Sequence, residues 1–108
     1  MSLPVRTTPE ADTQVREIDG WWRQNRTAAP NLFRQELAES FDLIGSAPDA
    51  GRKYLQYRAH IVRRLLLKHT KYHVYYTAMP AAYMVIAVWH AQRGAGPRLD
   101  IGKKPDQV

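Results

Sequence analysis

The chain has 108 residues, a formal net charge of +6 and no cysteine. That length suits one compact domain with one core, and the missing thiols exclude disulfides and thiolate metal sites. The longest strongly apolar run, Met84–Trp89, is too short to cross a bilayer. The charge is unevenly divided: residues 1–50 carry five Lys/Arg and eight Asp/Glu, residues 51–108 eleven and two. No carboxylate side chain lies between Asp49 and Asp100, where nine Lys/Arg are interleaved with tyrosines and Trp89. Such a stretch cannot neutralise itself by internal ion pairs. It favours an anionic partner, nucleic acid or an acidic protein segment, and it offers no Asp or Glu as a general base. Basic surfaces also arise for solubility alone. Met1–Arg6 lacks the apolar core of a signal peptide, so the expected location is the cytoplasm, with no membrane partner.

Leu3–Thr8 reads as a short first strand with Val5 facing inward, and Pro4 places it at or near a sheet edge. Thr8-Pro9-Glu10 then has the cap, the first-turn proline and the acidic residue of a helix start. Ala11, Val15, Ile18 and Trp22 recur at helical spacing, which predicts a helix from about Pro9 to Arg26. Trp21 flanks this stripe. A second helix is predicted from about Pro30, with Phe33, Leu37, Phe41 and Ile44 as its apolar face and Gly45 as its stop. The short connection makes the two an antiparallel hairpin.

Ala47–Gly51 is turn chemistry. Arg52–Ile61 is basic and aromatic without a clean period and reads as a loop or irregular strand approach. Val62–Lys68, Tyr72–Thr77 and Tyr83–His90 read as strands, joined by loops short enough for hairpins. From Gly94 onward glycine and proline predominate, so residues 1–93 are expected to form a single domain and 94–108 an extended or flexible tail. The predicted fold is α+β in the order β-α-α-β-β-β: a helical hairpin on a mostly antiparallel four-stranded sheet.

That order resembles the RelE/ParE superfamily of toxins from type II toxin–antitoxin systems, over about residues 3–93. The resemblance is carried by Thr8-Pro9-Glu10-Ala11, by Pro48 and Gly51 in the turn after the hairpin, and by three later segments. These are Val62-Arg63-Arg64-Leu65-Leu66, Tyr72-His73-Val74-Tyr75-Tyr76 and Val88-Trp89-His90-Ala91-Gln92-Arg93-Gly94. The last three look like the C-terminal strands of ParE-like, plasmid-stabilisation proteins. The resemblance implies a toxin held in check by a cognate antitoxin. ParE-like members inhibit DNA gyrase; RelE-like members cleave messenger RNA on the ribosome. Fold alone does not choose between them. A third reading is a small RNA-binding or regulatory domain that is not toxic.

Under the RelE-like reading, His90, Arg64 and Arg93 would be the catalytic set, His90 as acid or base and the guanidinium groups on the phosphate. Under the ParE-like reading, which the long hairpin and the incomplete acid–base set favour, there is no catalysis. Arg63, Arg64, Lys68, Lys71 and Arg93 then bind the target or a nucleic acid. Arg63 and Arg64 are neighbours in a strand and face opposite ways, and the pattern does not say which one lies in a cleft. His90 is otherwise a strand-end histidine bonded to a nearby carbonyl. His60, His69, His73 and His90 have no metal-site spacing, so no metal and no cofactor are expected.

Tyr72, Val74 and Tyr76 are expected to pack as one face, whereas Tyr54 and Tyr57 are candidates for contact with a partner. A helix cannot readily bury both Trp21 and Trp22 against one sheet. Trp22 fits the core; Trp21 either marks a partner surface or covers a helix flank. The antitoxin is the implied partner, an acidic or amphipathic tail crossing the hairpin and adding to a sheet edge, with Val5 and Trp21 in the contact.

Overall fold

The computed structural model describes residues 3–92, 96, 97 and 99. Strand β1 (Val5–Thr7) leads into α1 (Pro9–Asn25) and α2 (Leu32–Ser46). Strands β2 (Arg52–Tyr57), β3 (His60–Leu66), β4 (Tyr72–Ala78) and β5 (Tyr83–His90) follow. The sheet order is β1-β5-β4-β3-β2, antiparallel throughout except for the parallel β1–β5 pair. The sheet therefore has five strands where four were expected.

The start of α1 follows from its local sequence. Thr8 Oγ1 accepts the Ala11 N–H at 3.1 Å, Pro9 fills a position with no helical donor requirement, and Glu10 and Asp12 complement the dipole. The stripe of Ala11, Val15, Ile18 and Trp22 meets Phe33, Leu37 and Ile44 of α2 over Val74, Tyr76, Val85 and Val88 of the sheet. Tyr72 joins the same cluster, so the expected packing face of Tyr72, Val74 and Tyr76 is present. Gly45 does not stop α2: the helix runs on to Ser46, whose hydroxyl donates to the Asp42 carbonyl at 3.0 Å.

The additional strand is the segment read as a loop. Arg52–Tyr57 pairs with His60–Leu66 through a tight turn in which Arg58 takes a φ of 54°. The pairing slips between Lys53 and Leu55, so Tyr54 and Leu55 both join the cluster on the face away from the helices. That bulge breaks the two-residue alternation by which a strand is recognised. β3 also begins and ends two residues earlier than expected, at His60 and Leu66.

A second bulge lies in β5. Tyr75 pairs with Ala87 and Tyr76 with Val85, which leaves Ile86 as the extra residue. Val85 and Val88 thus face the helices, while Ile86 and Ala87 face the other way, with Val62 and Tyr75. Among the described residues no helix covers this second face. Leu99 of the C-terminal segment packs against its cluster, and Gly96 approaches Tyr54 so closely that a Cβ there would lie 2.7 Å from the phenol oxygen. The rest of the predicted tail, apart from Pro97, lies outside the described residues.

Candidate functional site

The strands sort the basic residues by face. Arg64 pairs with Tyr75 on the open face and stacks its guanidinium over Tyr54, 5.0 Å from the ring centroid. Arg52 stands directly across from Arg64 on β2. Like charges opposed across strands repel. Among the described residues neither guanidinium meets a carboxylate, since the ion pairs there use Asp12, Asp19, Glu36 and Asp49 with other partners. None of the five strands contains an acidic residue. His73, two residues from Tyr75 on the same face, has its pKa lowered below 6.5 by burial and then by the Arg64 charge. At neutral pH its ring is uncharged, and the positive charge of this patch rests on the arginines.

Arg63 faces the other way, beside Tyr76. It donates to the Gly51 carbonyl at 3.0 Å and lies 3.5 Å from Asp49. These contacts hold the turn after α2. The Tyr76 hydroxyl completes the arrangement, accepting the Gly51 N–H at 2.9 Å and donating to the Pro48 carbonyl at 2.7 Å. Burial pushes the Tyr76 phenol above its usual pKa, which keeps that donor proton in place.

Lys68 and Lys71 are exposed on the β3–β4 turn, where Lys71 has a φ of 67°. A group missed by sequence reasoning fixes this turn. Glu36 reaches from α2 and accepts the His69 N–H at 2.8 Å and the Thr70 N–H at 2.9 Å. It also accepts the Thr70 hydroxyl at 2.7 Å, and His69 Nδ1 lies 2.9 Å from it. Burial alone would raise the Glu36 pKa, but these hydrogen bonds outweigh it and hold the carboxyl below 4.5. The His69 side chain stays 73% exposed despite this contact.

His90 pairs with Tyr72 at the same end of the sheet, their rings meeting edge to face at 5.0 Å. The Lys71 carbonyl accepts the Ala91 N–H at 2.7 Å, which ties the β3–β4 turn to the end of β5. His90 accepts the Gln92 N–H through Nδ1 at 3.2 Å. It lines a groove of about 340 Å³ with Gln14, Glu17, Trp21 and Trp89.

The structure thus brings Lys68, Lys71 and His90 to one end of the sheet. It does not bring His90 together with Arg64, because His90 lies on the helix side and Arg64 on the open face. Arg63 occupies a third place. Arg93 lies outside the described residues. Val5 is half-buried on the edge strand and lines a second groove with Phe41 and Gly45 of α2. Trp21 is 44% exposed whereas Trp22 is in the core. Tyr54 is half-buried against Tyr75, and Tyr57 is exposed beneath the Arg58 guanidinium. Arg52 was overlooked with its strand. Its signal is the cluster of Arg52, Lys53, Tyr54 and Tyr57 just before a two-residue turn.

No helix among the described residues is long and apolar enough to cross a membrane. A chain of the chromosomal ParDE TA system from P. aeruginosa has the same fold, with a TM-score of 0.65 at 12% identity over 84% of this chain and 98% of that one. No curated protein sequence matches. A family model for the ParE toxin of the type II toxin–antitoxin system parDE matches residues 5–94, which is most of the chain. By that match, and in agreement with the fold, the chain belongs to the ParE toxin family of type II toxin–antitoxin systems.

Proposed function

We propose that this toxin arrests growth by binding DNA gyrase and that a cognate antitoxin neutralises it by covering its helical side. The observation that carries the reading is the open face: Arg52 and Arg64 opposed, unpaired by carboxylates among the described residues, and separated by the sheet from His90. This arrangement suits recognition of an anionic macromolecular surface. It does not suit general acid–base cleavage, for which the phosphate-binding cation and the proton-transferring imidazole must reach the same bond. Of the RelE-like set, His90 and Arg64 lie on opposite sides of the sheet, and Arg93 lies outside the described residues. Lys68 and Lys71 extend the cationic surface at the end of the sheet.

The test is a supercoiling assay with purified protein and gyrase, alongside induction in bacteria. Inhibited supercoiling and a DNA-damage response are expected, with translation continuing. Early arrest of translation with cut messages on ribosomes would overturn the reading. Co-expression with the antitoxin should restore growth and yield a complex that co-purifies.

A further inference from the structure

We propose that the groove between α1 and the outer edge of β5 receives a lysine or arginine side chain from the extended tail of the antitoxin. β1 covers β5 only from Tyr83 to Val85, and the Thr8 N–H to Val85 carbonyl bond of 3.0 Å closes that pairing. Beyond it no strand among the described residues covers the outer edge. The next outward donor, the Val88 N–H, is taken by the side chain of Gln14 at 2.8 Å. A glutamine side chain there does what a neighbouring strand would otherwise do, so an extended segment can lie alongside without leaving that donor orphaned.

The groove's walls decide what such a segment must carry. Gln14, Glu17 and Trp21 are spaced along α1 by three and four residues and face the edge together, with Tyr72 and His90 opposite; the Trp89 side chain packs on the other face of the sheet. The volume, about 340 Å³, is ample for one long side chain. Trp21 brings an indole to this groove, and such ring faces attract cations. Trp21 already holds the Arg26 guanidinium 5.0 Å from one ring. Glu17 adds a full negative charge. In a chain with sixteen Lys/Arg it nonetheless meets no basic side chain within ion-pair distance among the described residues. His90 accepts the Gln92 N–H through Nδ1. An acidic, aromatic notch on a basic protein is complementary to a cation and would leave an anionic side chain unpaired. The identity of the donor rests on the toxin–antitoxin reading; the preference of the groove for a cation does not.

The experiment follows the indole N–H resonance of Trp21 in the full chain, with that of Trp89 on the other sheet face as a reference, titrated with N-acetyl-arginine amide or with its neutral isostere N-acetyl-citrulline amide. The arginine probe should shift the Trp21 resonance saturably, and the citrulline probe should bind roughly tenfold more weakly. Glu17→Gln should weaken the arginine response about fivefold while leaving the other resonances and the folded spectrum in place. Equal responses to the two probes, no saturable shift, or an unchanged response in Glu17→Gln would overturn the proposal. In the co-purified toxin–antitoxin complex the probe should no longer shift the Trp21 resonance. A shift that persists in the complex would rule out the antitoxin as occupant. Because the titration needs no gyrase, a toxin that fails to inhibit supercoiling yet discriminates the probes would refute the target and support the notch.

Discussion

Through Oε1 the Glu36 carboxylate accepts both the backbone N–H and the hydroxyl of Thr70, at 2.9 and 2.7 Å, and so joins α2 to the β3–β4 turn 34 residues away. The same carboxylate holds the His69 N–H through Oε2. Removing it leaves two backbone donors and a buried hydroxyl without their acceptor. Glu36→Ala is therefore expected to cost about 2–4 kcal/mol, and Glu36→Gln about half of that, in chemical unfolding. The carboxyl has a folded pKa below 4.5. Its contribution is complete above that ordinary value and is lost as pH falls through the lower folded value. Unfolding curves across the acid range should show this loss in the native chain and not in Glu36→Gln.

The legibility of this molecule follows the range of its interactions. α1 could be read because its cap, its proline and its stripe are all local, and Thr8 to Ala11 spans three residues. β1 was readable at the edge because Pro4 lacks a donor. β2 was not, because the bulge at Tyr54 places two consecutive side chains on one face and erases the alternation. Gly45 looked like a stop by composition, yet the turn that follows is held by Tyr76 and Arg63, far along the chain, and the helix continues to Ser46. Glu36 has no signature in the sequence for the same reason: its partners lie in a turn that only the tertiary fold brings near. Arg63 and Arg64 could be assigned to opposite faces by alternation. Which of them is tied up internally depended on Asp49 and Gly51.

Gly51 and Tyr76 make a second long-range joint. A Cβ at position 51 would lie 2.6 Å from the Tyr76 hydroxyl oxygen and 3.0 Å from the Arg64 carbonyl oxygen. Gly51→Ala must displace a buried tyrosine or the β3 backbone and is expected to cost about 2–4 kcal/mol. Tyr76→Phe keeps the packing but orphans the Gly51 N–H and the Pro48 carbonyl, for about 1–3 kcal/mol. In the Tyr76→Phe background Gly51→Ala should cost less than it does alone, because the hydroxyl oxygen that the new methyl meets is gone. A double-mutant cycle on unfolding free energies measures the difference.

His73 reports on the charge of the open face. Burial is the larger cause of its depressed pKa and Arg64 the smaller. Arg64→Gln should move the midpoint partway back toward 6.5 in an NMR titration of the imidazole, with the burial contribution remaining. The folded chain binds this proton less readily than the unfolded chain. The stability linked to His73 is therefore complete above 6.5 and declines as pH falls through the folded midpoint. An unchanged midpoint in Arg64→Gln would mean that the guanidinium lies farther from the ring than its place on the sheet indicates.

The opposed Arg52 and Arg64 set stability against function. Arg52→Glu converts a repulsive cross-strand pair into an attractive one and is expected to stabilise the fold by about 0.5–1 kcal/mol. The same change places a negative charge on the face assigned to an anionic target. Inhibition of supercoiling should fall about tenfold, equivalent to roughly 1.4 kcal/mol, and most steeply at low ionic strength, where screening is least. Arg52→Gln should fall between the native chain and Arg52→Glu in both properties. Arg16→Glu, which alters an exposed pair on α1, changes the net charge equally but leaves the open face intact, so it should retain inhibition. If Arg16→Glu and Arg52→Glu reduce inhibition alike, overall charge governs the effect and the open face has no special part in it. If only Arg52→Glu does, the repulsion across β2 and β3 is retained because the target relieves it.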